Sequence, residues 1–237
     1  MNRRSFLTAA AVLPWSPSIM SCCGPSSVGT SPYPPGLAYY IGASFEYCGI
    51  NWGCADGPRV AQILGGLLAD RNIALATDGF GGALFDDFEE WINVRQALRV
   101  AEGATGKKIA AAVLGLTGDA VNDTAQLDYV RCAGFVAQML EWTDNVFVLD
   151  YPPFENRHVP YFTELNNVDP VWWDTIWRPG YRAAMQTAGA KVICPFYDWE
   201  PYGIVLPHTA PYPDYHINSP SARRAAYRIY TAIISAL

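Results

Sequence analysis

The sequence has little charge and few histidines, and both features limit the classes of protein to which it can belong. Charged residues make up 16% of the 237 residues, His occurs 3 times, and the formal net charge is −6 at pH 7. No long run of Lys or Arg appears, so we expect no nucleic acid among the partners of the chain. Hydrophobic residues make up 51%, which excludes a disordered chain and predicts a sizeable core.

The cysteines lack the spacing of a metal site. None of the 6 forms a Cys-x-x-Cys pair or stands at ligand spacing from a histidine, so we expect no metal and no cofactor. Cys48 and Cys54 are close enough in a polar segment to form a local disulfide in an oxidising compartment. Cys132 and Cys194 lie in apolar contexts that are typical of buried thiols.

The amino-terminal segment has a hydrophobic run too short to span a bilayer and reads as an export signal. Arg3 and Arg4, followed by Ser-Phe-Leu, resemble the twin-arginine signal of bacteria, so residues 1–21 are predicted to be removed. The stretch "IMSC" resembles a lipobox that ends at Cys22. Two outcomes follow: cleavage and release into the periplasm, or a lipid anchor on Cys22. Residues 22–36, rich in Gly, Pro and Ser, read as a tether to a domain over 37–237.

From residue 37 onward, apolar segments alternate with segments of helical periodicity, with no internal repeat. Continuously apolar strands that are separated by helices are typical of a parallel sheet covered on both faces. We therefore predict an α/β fold, a three-layer α/β/α sandwich around about five parallel strands. Ligands bind such open sheets beyond the carboxyl ends of the strands. The predicted strands cover 37–43, 72–77, 107–116, 145–153 and 190–199, and the predicted helices cover 57–71, 84–102, 127–143, 169–189 and 219–237.

The last predicted helix has clear signals at its start and along its buried side. Ser219 is expected to cap it and Pro220 to occupy its first turn. Its buried stripe is predicted to hold Ala222, Ala226, Ile229, Ile233 and Leu237.

The strand ends offer the parts of a serine nucleophile site. Ser44 follows the first strand, Gly82 lies after the second, and Asp214 and His216 lie in the final loop. A nucleophilic serine needs an imidazole to take its proton, a carboxylate to orient the imidazole and donors for the oxyanion. Each residue alone also has an ordinary explanation: a serine caps a helix, an aspartate or a glycine serves a turn. Their common edge in one predicted sheet favours the catalytic interpretation.

The order of these segments resembles that of the SGNH hydrolases, also called the GDSL esterase and lipase family. "YYIGASFEYCG" is similar to their first block, "TDGFGGALFDDF" to their second and "PDYHINSPSARRAAYRIYTAII" to their last, so the resemblance covers 37–237. It implies a flavodoxin-like α/β/α fold and ester hydrolysis. It also implies that Ser44 is the nucleophile, His216 the base and Asp214 its orienting acid, with the N–H groups of Ser44 and Gly82 in the oxyanion site.

Three departures from the family pattern affect this interpretation. Ala43 replaces an aspartate that is not the nucleophile. Asp214 stands two residues before His216 rather than three, although i and i+2 share a face in an extended segment. In the third block, "GLTGDAVND", either Thr117 or Asn122 is the side-chain donor to the oxyanion.

Two other functions stay open from the sequence. Asp198 and Glu200, beside aromatic residues, suggest glycoside cleavage by paired carboxylates, although the domain is short for a (β/α)8 barrel of about 250 residues. Alternatively, the protein is a non-catalytic surface lipoprotein that binds a glycan or a partner with the same fold. For the esterase, the expected substrate is an acetyl or short acyl ester on a small molecule or a polysaccharide.

Overall fold

A computed structural model describes residues 36–42, 59–79, 83, 85–104, 108–116, 129–150, 170–198 and 217–237. All of these residues belong to the unit Ser31–Leu237. The strands are β1 (Gly36–Gly42), β2 (Ile73–Gly79), β3 (Ala111–Gly115), β4 (Val146–Leu149) and β5 (Lys191–Ile193). The helices are α1 (Val60–Ala69), α2 (Phe85–Ala101), α3 (Tyr129–Leu140), α4 (Pro170–Trp172), a π-helical turn (Trp173–Trp177), α5 (Arg178–Thr187) and α6 (Ser219–Ile234).

The five strands form one parallel sheet in the order β2-β1-β3-β4-β5. This is the flavodoxin-like order, so the predicted fold class is confirmed. From β1 the chain moves outward to β2 and then returns to the other side of β1 to form β3. The strand order therefore reverses between β1 and β3, and the carboxyl end of that junction is where ligands bind in folds of this kind.

The inner strands are buried on both faces. Every residue of β3 and β4 is buried, as are the last five of β1. Neighbouring residues of a strand point to opposite faces, so Tyr39 and Tyr40 anchor opposite sides of the core. β2 forms an edge of the sheet and buries only Ile73. This difference explains why β2 tolerates Asp78 near its end whereas β3 is continuously apolar.

Helices cover both faces of the sheet, as predicted. On one face α1 packs against α6 and β2, and Gly65 of α1 lies against Leu75. Asp78 is an odd number of residues from Leu75 and therefore points to the other face, where Arg95 of α2 binds it. On that face α2 packs against α3, because Phe88 meets Phe135 with ring centroids 6.4 Å apart.

An aromatic column joins the π-helical turn to α5. The rings of Trp173 and Trp177 stack with centroids 4.3 Å apart, and Trp177 stacks on Tyr181 at 5.0 Å. All three side chains are buried, so these tryptophans serve packing. Tyr129 of α3 packs beside the column, with its ring centroid 6.1 Å from that of Trp177. A Cβ at Gly180 would stand 2.7 Å from the Tyr129 hydroxyl, so a larger residue there would have to displace the Tyr129 side chain.

Three local predictions are corrected by the structure. The strand predicted over 190–199 is only three residues long, and a turn over 195–198 follows it. Pro195 has no N–H for a ladder, which ends the pairing there. The cap of α6 is Asn218 rather than Ser219, since the Asn218 side chain accepts from the Ser221 N–H at 2.9 Å. Leu237 is 54% exposed because the helix ends at Ile234.

Candidate active site at the carboxyl edge of the sheet

A row of glycines ends the three strands around the switch point. Gly42 of β1 lies in register with Gly79 of β2 on one side and with Gly115 of β3 on the other. Residues in register on parallel strands point to the same face, so a row without Cβ atoms lets a ligand or a loop approach the backbone closely on that face. This row therefore marks the centre of the candidate site.

The sequence-predicted site residues lie outside the described residues, and their described neighbours show where their segments attach. Ser44 is two residues beyond Gly42. Gly82 directly precedes Ala83, Thr117 directly follows Leu116, and His216 directly precedes Ile217; all three neighbours are buried. The segments that carry the predicted residues thus start or end in the core. The predicted site residues that lie outside the described ranges are Ser44, Gly82, Thr117, Asn122, Asp214 and His216.

A buried ion pair follows β4 at the same edge, and sequence reasoning missed it. Asp150 is fully buried, and its carboxylate accepts from Arg178 Nη2 at 3.0 Å and Nε at 3.4 Å. Arg182 adds a second cation at 3.6 Å, and Arg178 also pairs with Asp174 at 3.2 Å. The available signal was a carboxylate directly after four apolar strand residues. The pair binds the start of α5 to the end of β4.

Cys194 directly follows β5 and lies beside this pair. Burial raises the pKa of the Cys194 thiol, and the charge of Asp150 raises it further. Because the thiolate is the nucleophilic form, this residue is unsuited to nucleophilic catalysis at neutral pH. Cys132 is buried in α3, where it packs with the core.

A second polar cluster joins β1, β2 and α2. Arg95 Nε and Nη2 donate to the two oxygens of Asp78 at 2.6 Å and 2.8 Å. The Tyr39 hydroxyl donates to Asp78 at 3.0 Å. Burial and the adjacent Asp78 charge raise the pKa of Tyr39, so its hydroxyl keeps its proton and remains a donor. The cluster connects the strand before the Gly82 segment to the helix after it, and both to β1.

Asp198, the described member of the proposed glycosidase pair, is bound by two arginines. Arg228 donates to its two oxygens at 2.6 Å and 2.7 Å, and Arg224 Nε lies 3.3 Å away. The hydrogen bonds from Arg228, opposed in part by burial, lower the pKa of Asp198. A glycosidase acid must hold a proton near neutral pH, so Asp198 does not suit that role. Glu200 lies outside the described residues.

The Asp198 pair should make stability depend on pH. Because its folded-state pKa is lowered, its stabilisation is complete above the unfolded pKa of about 3.9 and is lost as the pH falls through the lower folded value. We expect Asp198→Asn to lower the free energy of unfolding at pH 6, with the deficit shrinking below about pH 4. Urea unfolding over this range measures it. When Asp198→Asn is made in an Arg228→Met background, the pH-dependent part of this loss should shrink. If the loss caused by Asp198→Asn alone stays constant down to pH 3, the lowered pKa of Asp198 is contradicted.

The described ranges contain neither a metal-binding cluster nor a membrane-spanning helix. Within them, no group of three or more His, Cys, Asp and Glu side chains is placed to hold a metal ion. Nor does any helix in the same ranges have the length and apolar character needed to cross a membrane.

Strand order, layers and switch point define a doubly wound α/β sandwich with its ligand edge at the glycine row. The particular fold is that of the SGNH hydrolases, which confirms at the level of fold the resemblance seen in the sequence. No family model matches the chain, and neither does any curated protein sequence. Solved structures do match, at low identity.

Three of these structures show the extent of the likeness. A candidate SGNH hydrolase from Slackia heliotrinireducens has a TM-score of 0.58 and 14% identity, and the match covers 84% of this chain and 100% of that one. The acetylxylan esterase Axe2 from Geobacillus stearothermophilus has a TM-score of 0.54 and 12% identity, covering 86% and 96%. A candidate GDSL-like lipase from Parabacteroides merdae has a TM-score of 0.53 and 10% identity, covering 85% and 96%.

Proposed function

We propose that this protein is a serine esterase of the SGNH type. The observation that carries the proposal is the position of β1: it lies at the switch point of an SGNH hydrolase fold, ends in the glycine row, and leads into Ser44 two residues later. In open α/β sheets this is the place where a ligand meets the residues that follow the strands. The solved structures of similar fold include an esterase and a candidate lipase, which supports ester chemistry.

The proposed mechanism uses residues of four segments. Ser44 Oγ attacks the ester carbonyl carbon while His216 takes the hydroxyl proton. The oxyanion that forms is stabilised by the N–H groups of Ser44 and Gly82 and by a side chain of the third block. His216 then gives its proton to the departing alcohol oxygen, and the acyl-enzyme remains. A water molecule that is deprotonated by His216 releases the acid and restores Ser44.

The orienting acid and the side-chain donor to the oxyanion are assigned from the sequence. Asp214 is the proposed orienting acid of His216. Either Asn122 or Thr117 supplies the side-chain donor, and loss of one such donor lowers kcat by about 10²–10³ in a well-studied protease.

The proposed substrate is an acetyl or short acyl ester, carried by a small molecule or a polysaccharide. The likeness to an acetylxylan esterase supports an acylated carbohydrate. The proposed place of action is the cell envelope, after export through the signal at 1–21, with or without a lipid on Cys22. A non-catalytic surface lipoprotein of the same fold is the second candidate, because Ala43 and Thr117 depart from the family blocks.

A fluorophosphonate probe tests the esterase directly. An activated serine Oγ displaces fluoride from phosphorus, and the adduct is mapped by mass spectrometry on the purified 237-residue chain. We expect the label on Ser44 in the wild type and its loss in His216→Ala. A folded wild-type protein that takes no label at Ser44 would overturn the esterase and leave the binding protein as the better candidate.

A further inference from the structure

We propose that Arg59 is a positioning residue for His216, an inference that rests on the esterase function proposed above. Arg59 directly precedes α1, the helix that follows the Ser44 segment. Its Nη1 donates to the main-chain oxygen of Ile217 at 3.3 Å. Ile217 directly follows His216 in the sequence. One guanidinium therefore connects the start of α1, which follows the Ser44 segment, to the residue that follows His216.

Both partners in this contact are withdrawn from solvent. Arg59 is 5% exposed and Ile217 is 1% exposed, although 158 positions separate them in the sequence. A hydrogen bond from a charged donor is stronger than a neutral one, and burial strengthens it further. The Ile217–Asn218 peptide, which follows His216 by one residue, is thus held by a buried hydrogen bond from a charged donor.

Each side of the contact is fixed to a helix. The Arg59 N–H donates to Gln62 Oε1 at 2.9 Å, and the Arg59 carbonyl accepts from the Ile63 N–H at 2.9 Å. On the other side, Asn218 caps α6. Because α1 and α6 pack against each other, the guanidinium and the Ile217 carbonyl are presented by one rigid pair of helices.

The electrostatics favour a role beyond joining two helices. Burying a cation costs free energy, and well-packed apolar side chains often join helices at least as stably. A directional donor on a single carbonyl instead fixes the orientation of one peptide plane, here that of Ile217 and Asn218. His216 is joined to this plane through the Cα of Ile217, and the Cα atoms of consecutive residues are about 3.8 Å apart. A general base displaced by about 1 Å loses on the order of 10²-fold in rate. Arg59 is therefore placed to set the approach of the imidazole, without contacting substrate itself.

The chain contains a matched control. Arg71, beyond the other end of α1, also links that helix region to α6, by donating from Nε to the Tyr230 hydroxyl at 2.8 Å. It lies two residues before β2 begins, close to the amino end of the sheet and away from the glycine row. Arg71→Met removes a comparable link and should lower stability while leaving the labelling rate of Ser44 within about two-fold of the wild type.

The test compares Arg59→Met, Arg59→Lys, Arg71→Met and the wild type. For each variant of the 237-residue chain we would measure the rate of fluorophosphonate labelling at Ser44, the kcat and KM for p-nitrophenyl acetate and the thermal midpoint. We expect Arg59→Met to lower kcat and the labelling rate by about 10- to 100-fold, with KM nearly unchanged. Arg59→Lys, which keeps a charged donor, should recover part of the loss. If Arg59→Met does not fold, the Lys variant should still show the reduced rate at a near-normal midpoint.

The outcomes separate this inference from the proposed function. A folded Arg59→Met or Arg59→Lys variant that labels as fast as a labelled wild type would overturn the positioning role and leave the esterase intact. Equal losses of labelling in the Arg59 and Arg71 variants would also overturn it, because the arginine would then act only through stability. A wild type that takes no label at Ser44 overturns the esterase and this inference together.

Discussion

Ser44→Ala is expected to lower kcat/KM for p-nitrophenyl acetate by about 10⁴-fold or more, with the fold and the thermal midpoint preserved. Removing the nucleophile of a serine hydrolase leaves only the contribution of the oxyanion donors and of binding, which is a small part of the total. The measurement is initial-rate kinetics on the purified variant, with circular dichroism to establish that it is folded.

Asp198→Asn is the matched control for this experiment. It removes a carboxylate of the alternative glycosidase pair, and it should leave ester hydrolysis unaffected because Asp198 is engaged with Arg228 and Arg224. Activity that survives Ser44→Ala would place the nucleophile elsewhere. Hydrolysis of a p-nitrophenyl glycoside that depends on Asp198 and not on Ser44 would favour the glycosidase.

Arg178→Met should lower the free energy of unfolding by about 3–5 kcal/mol. The substitution leaves the Asp150 carboxylate, which is fully buried, with its remaining arginine partner 3.6 Å away at Arg182. Removing one partner of a buried ion pair is costly because the other charge stays in a medium that solvates it poorly. For a chain of this size the change corresponds to a fall of about 10 °C in the thermal midpoint. Urea denaturation and calorimetry measure both quantities.

Arg182→Met is the control for the buried pair. Arg182 binds the same carboxylate, but its side chain is 48% exposed and its distance is longer, so its removal should cost less than about 1 kcal/mol. Equal losses in the two variants would contradict this prediction, because the shorter and less exposed contact of Arg178 would then contribute no more than that of Arg182. A destabilised Asp150→Asn variant that Arg178→Met partly restores would support the ion pair, since the two changes then act on one interaction.

The layered fold was predictable because it depends on properties that act along the chain. β3 and β4 are apolar at every position, which only a sheet covered on both faces accommodates, and Leu64 and Leu68 recur at helical spacing in α1. Local prediction was wrong where competing signals stood side by side. Asn218 and Ser219 both suit a helix cap. The apolar run over 190–199 predicted a longer strand than the structure has, because the strand ends before Pro195.

The polar contacts were not predictable because their partners are distant in the sequence. Arg59 reaches Ile217 across 158 positions, and Arg178 reaches Asp150 across 28. Nothing in the local pattern of either arginine distinguishes it from a solvated residue. The order of the blocks, in contrast, indicated the candidate nucleophile, base and oxyanion residues, and these remain predictions until the labelling experiment is done.

The sequence by itself determined the alternation of strands and helices and the parallel sheet, because hydrophobic periodicity reports burial residue by residue. Only the tertiary structure decided the strand order, which places Gly42 between Gly79 and Gly115 at the switch point. It also decided which charges are buried, because the free energy of a buried charge depends on partners that folding alone brings within reach.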